Sequence, residues 1–204
     1  MIHGSCLCGE ISFELAGTPE FMNHCHCRMC RKASGASYGT FLHAEGRHFR
    51  WTSRCDAIQA YESSVGSFRP FCSKCGSRVP VLENDGAEVI IPAGSLDSDP
   101  LSRPVAHYHV ASRAPWDEIN DGVPAFAAYP DDQFWKRLFP NQRTRRLTLD
   151  RASRVDERRV VGERDGRETL LLAECRSTTP PAHPQPTALP KLRSSPVARG
   201  ARDT

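Results

Sequence analysis

No run of 18 or more apolar residues occurs in the 204-residue chain, so no segment is long and apolar enough to cross a bilayer as a helix. The opening residues, MIHGSCLCGEISFEL, lack the basic and apolar regions of a signal peptide, and the expected location is cytoplasmic. Long amphipathic helices are missing too: before residue 130 no stretch keeps a 3.6-residue apolar period for more than about three turns. Residues 1–140 also lack excess positive charge, with 13 Lys+Arg against 16 Asp+Glu, and no aromatic residues interleave with basic ones. A nucleic-acid surface is therefore not expected on the folded part.

What the chain does have is cysteine. Seven of its nine cysteines fall into three short patterns: C-x-C at Cys6/Cys8, C-x-C-x-x-C at Cys25/Cys27/Cys30, and C-x-x-C at Cys72/Cys75. With no export signal, such spacing points to metal rather than to disulfides, which an odd total and the strained C-x-C pair also disfavour. Cys55 and Cys175 have no clustered partner and read as ordinary thiols.

The strand signals are short. Ile11, Phe13 and Leu15 alternate with polar residues, the period of a half-buried strand, and Gly17-Thr18-Pro19 then turns the chain. A strand through Cys25 and Cys27 would set both on one face and His24 and His26 on the other, with Cys30 closing from the following turn. Residues 38–42, 58–61, 79–82, 89–91 and 105–110 are further strand-like runs separated by Gly, Pro and Asp. The expected class is mainly β, built from short antiparallel strands. After Pro130, the residues Phe134, Trp135, Leu138 and Phe139 suit one face of a short helix.

Four thiolates make a closed tetrahedral zinc site, whereas three leave a position open, and seven clustered cysteines divide naturally as four plus three. The Cys72 to Gly76 segment has the form of a zinc knuckle and needs a second pair, which Cys6/Cys8 can supply. Cys25, Cys27 and Cys30 then form the open set. Spacing alone leaves open a swap of the pairs, or a fourth ligand from His24, His26 or Cys55.

Five segments carry a resemblance: G-S-C-L-C-G-E-I-S-F (4–13), H-C-H-C-R-M-C-R-K-A-S-G (24–35), F-C-S-K-C-G-S (71–77), G-S-L-D (94–97) and S-R-A-P-W (112–116). In this order they are similar to the glutathione-dependent formaldehyde-activating enzyme family, which also includes centromere protein V. The resemblance implies a β-tent fold and two zinc ions per chain. One would be structural, on Cys6, Cys8, Cys72 and Cys75; the other catalytic, on Cys25, Cys27 and Cys30. It also implies carbon-sulfur lyase chemistry in which a small thiol such as glutathione adds to formaldehyde. Arg28, Arg31 and Lys32 lie beside the three-cysteine set as candidate partners for glutathione's carboxylates.

Three parts of the chain are expected: the zinc domain over residues 1–130, an Arg-rich extension over 131–176 that is partly structured at most, and a disordered tail over 177–204. Residues 141–204 hold 14 Lys+Arg against 8 Asp+Glu, and six of the last 28 residues are Pro, a composition too poor in apolar residues to order itself. A zinc-stabilised binding module without catalysis is the alternative, although such a module has no use for an open site. A second alternative, the zinc deaminase pattern H-x-E then P-C-x-x-C, is matched imperfectly by His43-Ala44-Glu45 and Pro70-Phe71-Cys72, and leaves five clustered cysteines unexplained.

Overall fold

The structure, a computed structural model, describes residues 1–140. The expectations for residues 141–204, including a hairpin around Asp165-Gly166, lie outside the described residues. Among those described, no helix is long and apolar enough to cross a membrane.

The chain is mainly β, in three small sheets. The first joins β1 (Ile2–Ser5), β2 (Ser12–Leu15) and β5 (Phe49–Trp51), all antiparallel. The expected alternation holds here: Ile11, Phe13 and Leu15 are buried, and Phe13 meets Phe49 and Trp51 at ring-centroid distances of 5.7 and 6.1 Å. Gly4 is fixed by this packing, since an added Cβ would lie 2.2 Å from the Phe13 ring and 2.6 Å from the Ser95 carbonyl oxygen.

The second sheet has β3 (Phe21–Cys25), β4 (Gly39–Glu45), β8 (Val81–Glu83), β9 (Glu88–Pro92) and β10 (Pro104–Tyr108), in the order β10-β3-β4-β9-β8. Its β10–β3 pairing is parallel, whereas its other strand pairs are antiparallel. A parallel neighbour needs a long connection, and the 78 residues between Cys25 and Pro104 supply it. The left-handed conformation of His109 (φ 58°) then ends β10 before the 105–110 run is complete. The third sheet is a hairpin of β6 (Ile58–Ser64) and β7 (Ser67–Cys72), whose last residue carries a clustered cysteine. Pro70 discourages a strand reading of β7, yet a two-stranded ribbon tolerates it.

The two faces of β4 serve different clusters. Leu42 and Ala44 enter the main core with Val89, Ile91 and Met22, each fully buried aliphatic side chain contributing about 1.5–3 kcal/mol. Phe41, pointing the other way, packs on Cys25 and Cys30. A short helix α1 (Arg28–Ser34) follows β3, and α2 (Asp132–Leu138) closes the described chain. Asp131 caps α2 by accepting from the Phe134 N–H, and Phe134 is buried against Ala106 and Tyr108.

Candidate metal centres

The first centre sits where two turns meet. Cys6 and Cys8 lie in the turn between β1 and β2, closed by the Gly9 N–H to the Cys6 carbonyl; Cys72 ends β7 and Cys75 lies in the turn that follows, closed by the Gly76 N–H to the Cys72 carbonyl. Gly9 and Gly76 both have φ of 75°, so each turn uses a conformation that other residues resist. The Leu7 N–H donates to Ser77 Oγ and joins the two turns directly.

The four Sγ atoms lie within 4.8 Å of one another. Two of the separations, Cys6–Cys8 at 3.5 Å and Cys8–Cys72 at 3.8 Å, match the roughly 3.8 Å that tetrahedral zinc imposes with bonds of about 2.3 Å. Burial pushes the Cys6 thiol up to about 12, so charging this group without a cation is unfavourable. The donor set, its spacing and its partial burial fit zinc.

The second centre is local. Cys25 ends β3, Cys27 is the N-cap residue of α1 and Cys30 lies in its first turn; Cys27 Sγ accepts from the Cys30 N–H at 3.3 Å. The strand thus stops at Cys25, and the expected following turn is a helix, ended by Gly35 (φ 64°) with its N–H on the Arg31 carbonyl. The three Sγ atoms lie within 4.8 Å of one another, and neither His24, His26 nor Cys55 joins them. Cys55 is buried in the main core. Hydrogen bonds from Cys25 and Cys30 pull the Cys27 thiol down to about 2, while the same contacts push Cys25 up. A divalent cation can bind these thiols by displacing their protons. This set also fits zinc, with three donors rather than four.

Positive charge surrounds the three-cysteine set. Arg28, Arg31 and Lys32 line one cavity of about 540 Å³ together with Trp116, on the outer side of α1. Arg78 stacks its guanidinium 5.1 Å above the ring of Phe41, which itself packs on Cys25 and Cys30. Burial and the neighbouring Arg69 push Arg78 down, and the three cysteines oppose that shift. The Nε atoms of Arg31, Arg69 and Arg78, with Nη1 of Arg78, are buried without a hydrogen-bond partner among the described residues. Arg69 and Arg78 were not singled out from the sequence, because an arginine near a zinc knuckle carries no spacing signal.

The deaminase arrangement is not assembled. His43 lies on β4, stacks on Phe21 and bonds Asn23 and Glu88, while Cys72 and Cys75 gather with Cys6 and Cys8.

A family model described as glutathione-dependent formaldehyde-activating enzyme matches residues 1–112. A Halomonas elongata protein, provisionally named a glutathione-dependent formaldehyde-activating enzyme, is 30% identical over 144 residues, covering 65% of this chain and 90% of that protein. A solved structure of a Rhodobacter sphaeroides protein is 19% identical, covering 48% of this chain and 89% of that one, with a TM-score of 0.40, too loose a likeness to bear on the fold.

Proposed function

The chain belongs to the glutathione-dependent formaldehyde-activating enzyme family, and we propose that it is a zinc-dependent enzyme of the carbon-sulfur lyase type, joining a thiol such as glutathione to a small aldehyde such as formaldehyde. The carrying observation is the division of seven cysteines into a set of four and a separate set of three. In this reading Cys6, Cys8, Cys72 and Cys75 hold a structural zinc, and Cys25, Cys27 and Cys30 hold a catalytic one. When bound by three cysteines, zinc favours the thiolate over the thiol at its remaining position.

The addition balances without a further reactant. The substrate sulfur bonds to the carbonyl carbon, the C=O pair moves to oxygen, and oxygen takes up a proton in place of the one the thiol lost. Nothing is oxidised and no group leaves. The protein's own contribution is orientation. Buried guanidinium N–H groups of Arg31, Arg69 and Arg78 lack acceptors among the described residues, and the two carboxylates of glutathione are acceptors of the right charge. A cytoplasmic setting, where thiols stay reduced, belongs to the same proposal.

The test is calorimetric titration of the zinc-loaded protein with glutathione in two buffers of different ionisation enthalpy. Binding with proton release is expected for the wild type, and its loss with one zinc for Cys30→Ser. If the wild type with two zinc ions binds no thiol, or Cys30→Ser binds it equally well, the non-catalytic binding module replaces this reading.

A further inference from the structure

A third set of ligating side chains lies apart from the cysteines. On β3, His24 shares a face with Met22 rather than with Cys25, and the parallel register sets His107 of β10 beside it, with ring centroids 4.9 Å apart. Asp121, from the chain after β10, places its carboxylate oxygens 3.0 and 3.2 Å from His107 Nε2, while its Oδ1 accepts from the Val123 N–H. One ligand atom from each of His24, His107 and Asp121 lies within 4.8 Å of the other two.

Hydrogen-bond accounting shows which nitrogens remain for a ligand. His24 Nδ1 lies 2.9 Å from Thr40 Oγ1, which leaves Nε2. His107 Nδ1 lies 2.8 Å from His26 Nε2, and His26 Nδ1 lies 3.2 Å from Asp117 Oδ2. The Asp117 contact is not a hydrogen bond, since His26 Nδ1 and Asp117 Oδ2 are both buried without a hydrogen-bond partner among the described residues. His26 and His107 are at most 2% exposed. A cation can use His24, His107 and Asp121 together. With His107 Nε2 turned to the metal, its Nδ1–H donates to His26 Nε2. Each imidazole stays neutral, and each ligating ring is braced through its other nitrogen, as metal-bound histidines usually are.

We propose that His24, His107 and Asp121 form a third metal site, separate from both cysteine groups, for a divalent cation with zinc-like preferences. Two imidazoles and a carboxylate suit zinc, cobalt or nickel better than calcium or magnesium, and they leave a position for water. Ligand atoms about 3.3 Å apart suit tetrahedral zinc; the Asp121 oxygens lie 3.0 and 3.2 Å from His107 Nε2, and the Asp121 side chain, 46% exposed, has room to adjust. The ion would tie β3 and β10 to the segment around Asp121 and does not depend on the thiol chemistry above.

The full-length protein, carrying two zinc ions per chain in the cysteine groups and none elsewhere, is titrated with Co²⁺ and followed by absorption and metal analysis. One further cobalt per chain is expected, with visible d–d bands and no sulfur-to-cobalt charge-transfer band in the near ultraviolet. Asp121→Asn, which keeps the Val123 hydrogen bond and lies at the surface, is expected to weaken cobalt binding at least tenfold without changing the charge-transfer signal of cobalt placed in the cysteine sites. No additional cobalt, a thiolate band on the added cobalt, or unchanged affinity in Asp121→Asn would overturn the proposal.

Discussion

The two cysteine groups differ in reach as much as in number. The four-cysteine group joins Cys6 and Cys8 to residues more than 60 positions away and pins the β1–β2 turn to the end of β7. The three-cysteine group spans only Cys25 to Cys30, the junction of one strand with one helix. A bond between distant segments limits the unfolded chain far more than one within six residues. The surroundings diverge in the same sense. Around the larger group the neighbours are turn hydroxyls and backbone, with the exposed Lys74–Glu10 pair outside; near the smaller, the Nε atoms of Arg31, Arg69 and Arg78 are buried without a hydrogen-bond partner among the described residues, and a cavity lies along the helix that carries Cys30. In the reading proposed above, the larger group holds the fold and the smaller meets a ligand.

The sharpest way to break this contrast is to remove one cysteine from the larger group. Cys75→Ser is expected to cost several kcal/mol, on the order expected when a structural zinc site is damaged, and to lower the melting temperature by roughly 10 °C or more, or to give insoluble protein. A soluble Cys75→Ser protein with two zinc ions and unchanged melting would erase the distinction between the groups.

Cys30→Ser tests the other side, with a smaller effect on the fold. Circular dichroism is expected to be preserved, metal analysis to show one zinc instead of two, and the thiol-dependent proton release to vanish. Collapse of the fold in Cys30→Ser would mean that the local group also bears on stability.

A smaller effect still is expected at Arg78, whose guanidinium lies over Phe41 beside the three cysteines. Arg78→Met keeps the stem packed on the ring and removes the donors. Affinity for glutathione is expected to fall about tenfold, in line with a lost charge-assisted hydrogen bond, while affinity for the uncharged thiol 2-mercaptoethanol stays within a factor of two or so. Equal losses for both thiols would assign Arg78 to packing instead of to carboxylate recognition.

These contrasts were legible in the sequence to different depths. Alternation at Ile11, Phe13 and Leu15 was enough for the β class, because one face of that strand is buried and the other wet. The fold gathers the cysteines in the four and three that their spacing suggests, since a short C-x-C or C-x-x-C turn keeps its sulfurs together in almost any tertiary setting. Helix α1 escaped notice because seven residues are too few to show a period, and its cap is a cysteine rather than Ser, Thr, Asp or Asn. The His24–His107 neighbourhood was invisible for a deeper reason. It depends on a parallel pairing across 83 positions, and no local pattern encodes which strand a distant segment will join.

The last prediction is one of no change. All seven clustered cysteines lie within residues 6–75, and both metal groups are built entirely from described residues. The described part of the chain ends with α2, whose Phe134 and Trp135 pack on Tyr108 and Phe21. Residues 1–140 therefore carry every ligand of both groups together with the apolar contacts that surround them, which is what an autonomous unit requires. Truncation after Pro140 is expected to leave two zinc ions bound and the thiol response intact, with melting shifted by a few degrees at most. Loss of zinc from the larger group on truncation would mean that its stability draws on residues beyond 140; loss from the smaller group alone would place part of its ligand environment there. Either result would relocate the difference between the two groups from their donors to the remainder of the chain.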